Sequence, residues 1–122
     1  MTAKRSLGLG LDTLLTAMQD QQKAKLSQGV IGRVQLLYDQ ALEQEKTGDI
    51  YEAYYLYRQA VDLIEPGIPD ETETAELISR CCNNLAVILF EGGKTEKAAA
   101  YLQRAIDLYP RNRTAAANLK LL

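Results

Sequence analysis

The sequence predicts an all-α protein in which antiparallel helix pairs stack side by side, with further helices flanking them at both ends. Three observations carry this reading. A cadence of small residues, Ala41, Gly48, Ala53 and Ala60, returns 45 residues later as Ala86, Gly93, Ala98 and Ala105. Self-similarity on that scale marks stacked units, each burying its apolar face on the next. Between these stretches, glycine and proline punctuate the chain at residues 65–69, at Gly92-Gly93 and at Pro110, where helices cannot easily continue.

The elements follow in order. Leu11, Leu14, Leu15 and Met18 stand at helical spacing before the chain turns polar over Gln19–Gln28, so residues 1–30 read as a mobile tail holding a short amphipathic helix. A helix is expected over Ile31–Lys46 and a second over Ile50–Ile64. The segment 65–69 then breaks the chain, with Gly67 suited to a C-terminal cap. A third helix is expected from near Asp70, where Asp70 and Glu73 resemble a capping box, to Phe90, stopping at Gly92-Gly93. Thr95 is a reasonable N-cap for a fourth, which ends before Tyr109-Pro110. Residues 113–122 read as a short terminal helix.

With 122 residues the chain suffices for one modest core. No apolar run approaches the ~18–20 residues of a membrane span, and Met1–Leu11 is a poor secretory signal, broken by Gly8 and Gly10 and followed by Asp12. Cys81 and Cys82 are adjacent and point about 100° apart on a helix, badly placed to bridge each other. They read as packed thiols in a reducing cytoplasm, with a redox switch as the alternative. Histidine is absent, which removes most histidine-based catalysis and the usual zinc sets. No catalytic residue, metal or cofactor is expected.

Charge is uneven. Residues 1–33 carry five positive and two negative side chains, residues 34–78 two and eleven, and residues 79–122 seven and three. The acidic middle opposes nucleic-acid binding, although Tyr51, Tyr54, Tyr55 and Tyr57 could stack on bases. Packing is the expected role of these tyrosines, with Tyr54 or Tyr55 available as an exposed contact. Asp70, Glu71, Glu73 and Glu76 lack the spacing and central glycine of a calcium loop and suit a helix start.

The repeat itself is steric. Two antiparallel helices approach closely where small side chains cross, so Ala41 is expected to face Ala53 and Ala60, and Ala86 to face Ala98 and Ala105. Gly48 and Gly93 permit the tight turns, and Leu37, Tyr57, Leu85, Leu89 and Leu102 supply bulk. The run Asn84-Leu85-Ala86, Gly93, Ala98, Leu102, Ala105, Pro110 resembles a tetratricopeptide repeat (TPR), and Val34–Gly67 is a weaker copy that places Gln40 and Gln44 where the family uses apolar groups. The resemblance sets repeat 1 at about 34–67, an extended connection at 68–78, repeat 2 at about 79–112 and a C-terminal helix at 113–122. The 45-residue spacing exceeds the family's ~34, and the added residues Ile68–Ile78 are expected to lengthen the third helix by about three turns. The first copy alone is also similar to an MIT domain through residues 48–53 and Leu56-Tyr57, which leaves the second copy unexplained.

The TPR resemblance implies a concave groove lined by the first helix of each pair, here Gln35, Tyr38, Asp39 and Leu42, then Arg80, Asn83, Asn84 and Val87. Asn84 falls where some family members grip a peptide's terminal carboxylate. The remaining clamp cations are unmatched, with Asp39 at the equivalent place in the first copy.

The N-terminus, Lys4-Arg5-Ser6-Leu7-Gly8-Leu9-Gly10-Leu11-Asp12-Thr13-Leu14-Leu15, is similar to that of ParB-type partition proteins, with Leu9 replacing a basic residue between the glycines. The resemblance implies contact with a ParA-type ATPase through Arg5, Leu11, Leu14 and Leu15. The expected role is thus a cytoplasmic, non-catalytic adaptor for another protein or peptide, without nucleic-acid or membrane binding. A homo-oligomeric scaffold and a regulator of a ParA-type ATPase stay open beside it.

Overall fold

A computed structural model describes residues 3–64, 69 and 71–122, with side chains over 13–19, 29–64, 69 and 71–122. The described residues form helices and turns: α1 (Ala3–Thr47), α2 (Ile50–Asp62), α3 (Thr72–Glu91), α4 (Thr95–Leu108) and α5 (Arg113–Leu121). By their contacts they divide into two units, Met1–Val30 and Ile31–Leu122.

The first unit is helical from Ala3, and α1 is unbroken to Thr47. This corrects the expectation of a short N-terminal helix with a separate one starting at Ile31. The chain has no proline before Pro66. Gly29 and Gly32 each cost about 1 kcal/mol in a helix without stopping it, and the Gln-, Lys- and Ala-rich stretch between the apolar segments consists of good helix formers. Leu14, Leu15 and Met18 are all exposed.

In the second unit, α1 and α2 form one pair and α3 and α4 the other. The two turns are built alike. Gly48 and Gly93 take φ of +89° and +81°, a left-handed conformation that glycine adopts at little cost. After each, the next amide reaches back into the preceding helix, Asp49 to the Gln44 carbonyl at 2.9 Å and Lys94 to the Leu89 carbonyl at 2.8 Å. This is the geometry of a glycine C-cap. Asp49 then caps α2 by accepting the Glu52 amide. At the second turn the N-cap is Lys94, with no side-chain cap, and Thr95 is the first helical residue, not the cap itself.

Two other boundaries shift. Helix α2 ends at Asp62, and Leu63 and Ile64 continue as a tightened turn with bonds to Ala60 and Val61. Helix α3 starts at Thr72 after Glu71, which makes no side-chain cap; the expected cap, Asp70, lies outside the described residues. The extension of α3 ahead of Ser79 is therefore about two turns rather than three.

The crossing positions are as the repeat predicts. Ala41, Ala53, Ala60, Ala86, Ala98 and Ala105 are all buried, as are Leu37, Tyr57, Leu85, Leu89 and Leu102. Helix α3 is central and packs on α2, α4 and α5, which is why it is apolar over so much of its surface. Cys81 and Cys82 form no disulfide and are fully buried within it, and burial pushes the Cys81 thiol well above its ordinary pKa. Gln40 is exposed and Gln44 half-buried, so the polar substitutions of the first copy sit at the margin of the core.

Candidate partner-docking groove

A line of hydrogen-bonded polar groups links α1, α2, α3 and α5. The Asn118 amide of α5 donates to Asn83 Oδ1 at 2.9 Å, and Asn83 Nδ2 donates to Asn84 Oδ1 at 3.3 Å. Asn84 Nδ2 donates to the Tyr57 hydroxyl at 3.1 Å, which donates in turn to Glu45 Oε2 at 2.5 Å. Every bond points toward the carboxylate, so each polarises the next. Burial and the Glu45 bond hold the Tyr57 phenol far above its ordinary pKa, and the Tyr38 ring leans on Tyr57 with centroids 6.3 Å apart.

Above this line opens a cavity of about 420 Å³. Tyr38 of α1 and Arg80, Asn83 and Asn84 of α3 line it, together with Glu76. The α4–α5 junction closes the far side with Tyr109, Arg111, Asn112 and Arg113. A smaller pocket of about 210 Å³ shares Glu76 and Arg80 and adds Gln35 and Ile31.

Of the eight expected groove residues, Tyr38, Arg80, Asn83 and Asn84 meet in the larger cavity and Gln35 in the smaller. Asp39 is exposed and accepts a bond from Gln35 Nε2 at 2.9 Å. Leu42 and Val87 are half-buried and border neither space. In the tail, Leu14 and Leu15 are exposed, while the Arg5 and Leu11 side chains lie outside the described ones. Sequence reasoning passed over Arg111, Asn112 and Arg113, although a signal existed: they lead into the helix that follows the second pair, and in a stack that helix joins the same face.

Asn112 builds this corner. Its side chain caps α5 by accepting the Ala115 amide at 3.0 Å and donates to the buried Ser79 hydroxyl at 2.8 Å. Ser79 donates to the Ala105 carbonyl at 2.6 Å. The start of α5 is thereby pinned to both α3 and α4.

A second hollow, of about 570 Å³, lies where the start of α2 meets the end of α3. It is mainly apolar, lined by Ile50, Tyr51, Tyr54 and Tyr55 opposite Ile88 and Leu89, with Glu91, Lys94 and Lys97 at its charged margin. Tyr51 is 85% and Tyr55 60% exposed, so of the four clustered tyrosines only Tyr57 belongs to the core. Tyr54 is held by Arg58, which donates to its hydroxyl at 3.0 Å. Among the described residues no three His, Cys, Asp or Glu side chains converge as metal ligands, and no helix is long and apolar enough to cross a membrane.

Residues 79–112, spanning most of α3 and all of α4, match the family model of the tetratricopeptide repeat. That stretch is similar to a TPR. No curated protein matches the chain. The helix pairs give the chain a TPR-like all-α fold, and a TPR points to a protein–protein interaction module rather than to catalysis.

Proposed function

We propose that residues 31–122 form a non-catalytic docking module that holds a partner helix or extended peptide in the groove between α1 and α3. The observation that carries this reading is the open cavity shared by Tyr38, Arg80, Asn83 and Asn84, whose amide floor is already hydrogen-bonded within the protein and so needs no ligand to satisfy it. Screening a displayed peptide library against the protein tests it. Selected peptides should lose binding to Tyr38→Ala and Arg80→Ala variants, and binders indifferent to both changes would place docking elsewhere.

A second reading, a homo-oligomeric scaffold, is favoured by the exposed apolar hollow around Tyr51 and Tyr55. Sedimentation at several concentrations decides it, since a concentration-independent monomer rules it out. The exposed Leu14 and Leu15 support a separate contact by the N-terminal helix, with a ParA-type ATPase as the partner that its resemblance implies. Removing residues 1–16 should abolish ATPase association while helicity from residue 31 onward persists. Two buried cysteines outside any disulfide fit a reducing cytoplasmic setting.

A further inference from the structure

We infer that the groove selects an internal acidic stretch of its partner, whose side-chain carboxylates meet Arg111 and Arg113 at the α5 end. This rests on the docking reading above and adds the chemistry of the ligand. The chain as a whole has a net charge of −2, yet three arginines and a single glutamate line this cavity. The glutamate is spent internally, because Glu76 pairs with Arg80 at 3.0 Å. Arg111 and Arg113 are exposed, and neither has an acidic partner among the described residues.

The backbone adds to the same field. Arg113 and Thr114 open α5 and line the cavity, so the positive end of that helix faces the ligand space. A guanidinium offers a rigid planar fork that matches a carboxylate in two parallel bonds.

Geometry favours side-chain carboxylates over a chain terminus. A single terminal carboxylate needs donors converging on one spot, and the floor amides best placed for that are tied: Asn84 to Tyr57, Asn83 to Asn84, and Asn118 to Asn83. The available cations are instead distributed along the α4–α5 junction, which suits acids spaced along a peptide. The α1 side of the cavity contributes the uncharged Tyr38.

Fluorescence anisotropy with the full-length chain tests this with labelled, C-terminally amidated peptides of alternating Glu and Gly, beside Gln-Gly and Lys-Gly counterparts. A Gln-Gly peptide with a free C-terminal carboxylate completes the set. The Glu-Gly peptide should bind best, weaken steeply as salt rises to ~0.5 M, and lose about tenfold or more in affinity on combined Arg111→Glu and Arg113→Glu. The milder pair Arg111→Gln and Arg113→Gln, checked by circular dichroism, should give a smaller loss with the fold intact. Acidic-peptide binding that survives both pairs overturns the inference. So does equal binding of the Gln-Gly amide lost on Tyr38→Ala, which leaves docking itself standing. Parity of the free-carboxylate peptide with the acidic one assigns a terminus instead and also overturns it. If no peptide binds, the docking reading falls together with this one.

Discussion

Tyr57 donates its hydroxyl to Glu45 at 2.5 Å, joining the two helices of the first pair. The same oxygen accepts from Asn84, so the first pair is joined to the second through one buried atom. Tyr57→Phe keeps the ring and its packing but leaves a carboxylate and an amide facing an apolar edge. It should cost ~1–3 kcal/mol, the penalty for unmatched partially buried groups, and urea denaturation monitored by circular dichroism measures it.

Stability should fall in alkali. Tyr57 is raised chiefly by burial, Tyr101 likewise, and the Cys81 thiol by burial. In each case the folded pKa exceeds the unfolded one, so the unfolded chain releases protons first. Stability is fully present below the unfolded values, about 8.5 for Cys and 10 for Tyr, and declines above them. Tyr57 and Cys81, the most strongly raised, each contribute about 1.4 kcal/mol per pH unit once the unfolded form ionises. Urea midpoints should hold from neutrality to about pH 8 and then drop, less steeply at the top of the range in Tyr57→Phe than in the parent.

The helix crossings should resist enlargement. Ala98 is fully buried and Ala86 nearly so where α3 meets α4. Ala98→Leu or Ala86→Leu should each cost ~1–3 kcal/mol by forcing the helices apart. Thermal melts that match the parent would show that these alanines are not where the pair crosses.

Adjacent glycines should respond differently. Gly93 has φ of +81° and open space around its missing Cβ, so Gly93→Ala carries backbone strain alone, ~1–2 kcal/mol. Gly92 has an ordinary φ of −84°, and a Cβ there meets only carbonyl oxygens at 3.5 Å. Gly92→Ala should be close to neutral by the same denaturation measurement.

Asn112 should govern α5. Asn112→Ala removes both the cap on the Ala115 amide and the bond to Ser79, at a cost of ~1–2 kcal/mol. Hydrogen exchange should quicken in Arg113–Leu121 more than in α3. Peptide binding at the arginines should weaken as well, because their backbone is no longer fixed.

The contrast between Gly93 and Arg113 shows what could be read in the chain. Gly93, with Ala86, Ala98 and Ala105, belongs to a local steric rule: a turn needs a residue without Cβ, and a helix crossing needs small side chains at fixed spacing. Such rules act within a few residues, so they specify the helix pairs, their turns and most of the core. The unbroken α1 was missed because a helix stops only at a definite breaker, and two glycines in a good helix-forming stretch are not one.

The groove was legible in half. Tyr38, Arg80, Asn83 and Asn84 followed from the face of their own helices, whereas Arg111 and Arg113 join it only because Asn112, Ser79 and the Ala105 carbonyl lock α5 against the second pair. The sequence by itself determined an all-α stack of paired helices with its small-residue crossings, since periodicity and turn chemistry are properties of neighbours along the chain. Only the tertiary structure decided that the basic corner of α5 faces the same cavity as α3, and that Asn84 is bound to Tyr57. Both depend on residues more than 25 positions apart, which packing brings together and no local rule encodes.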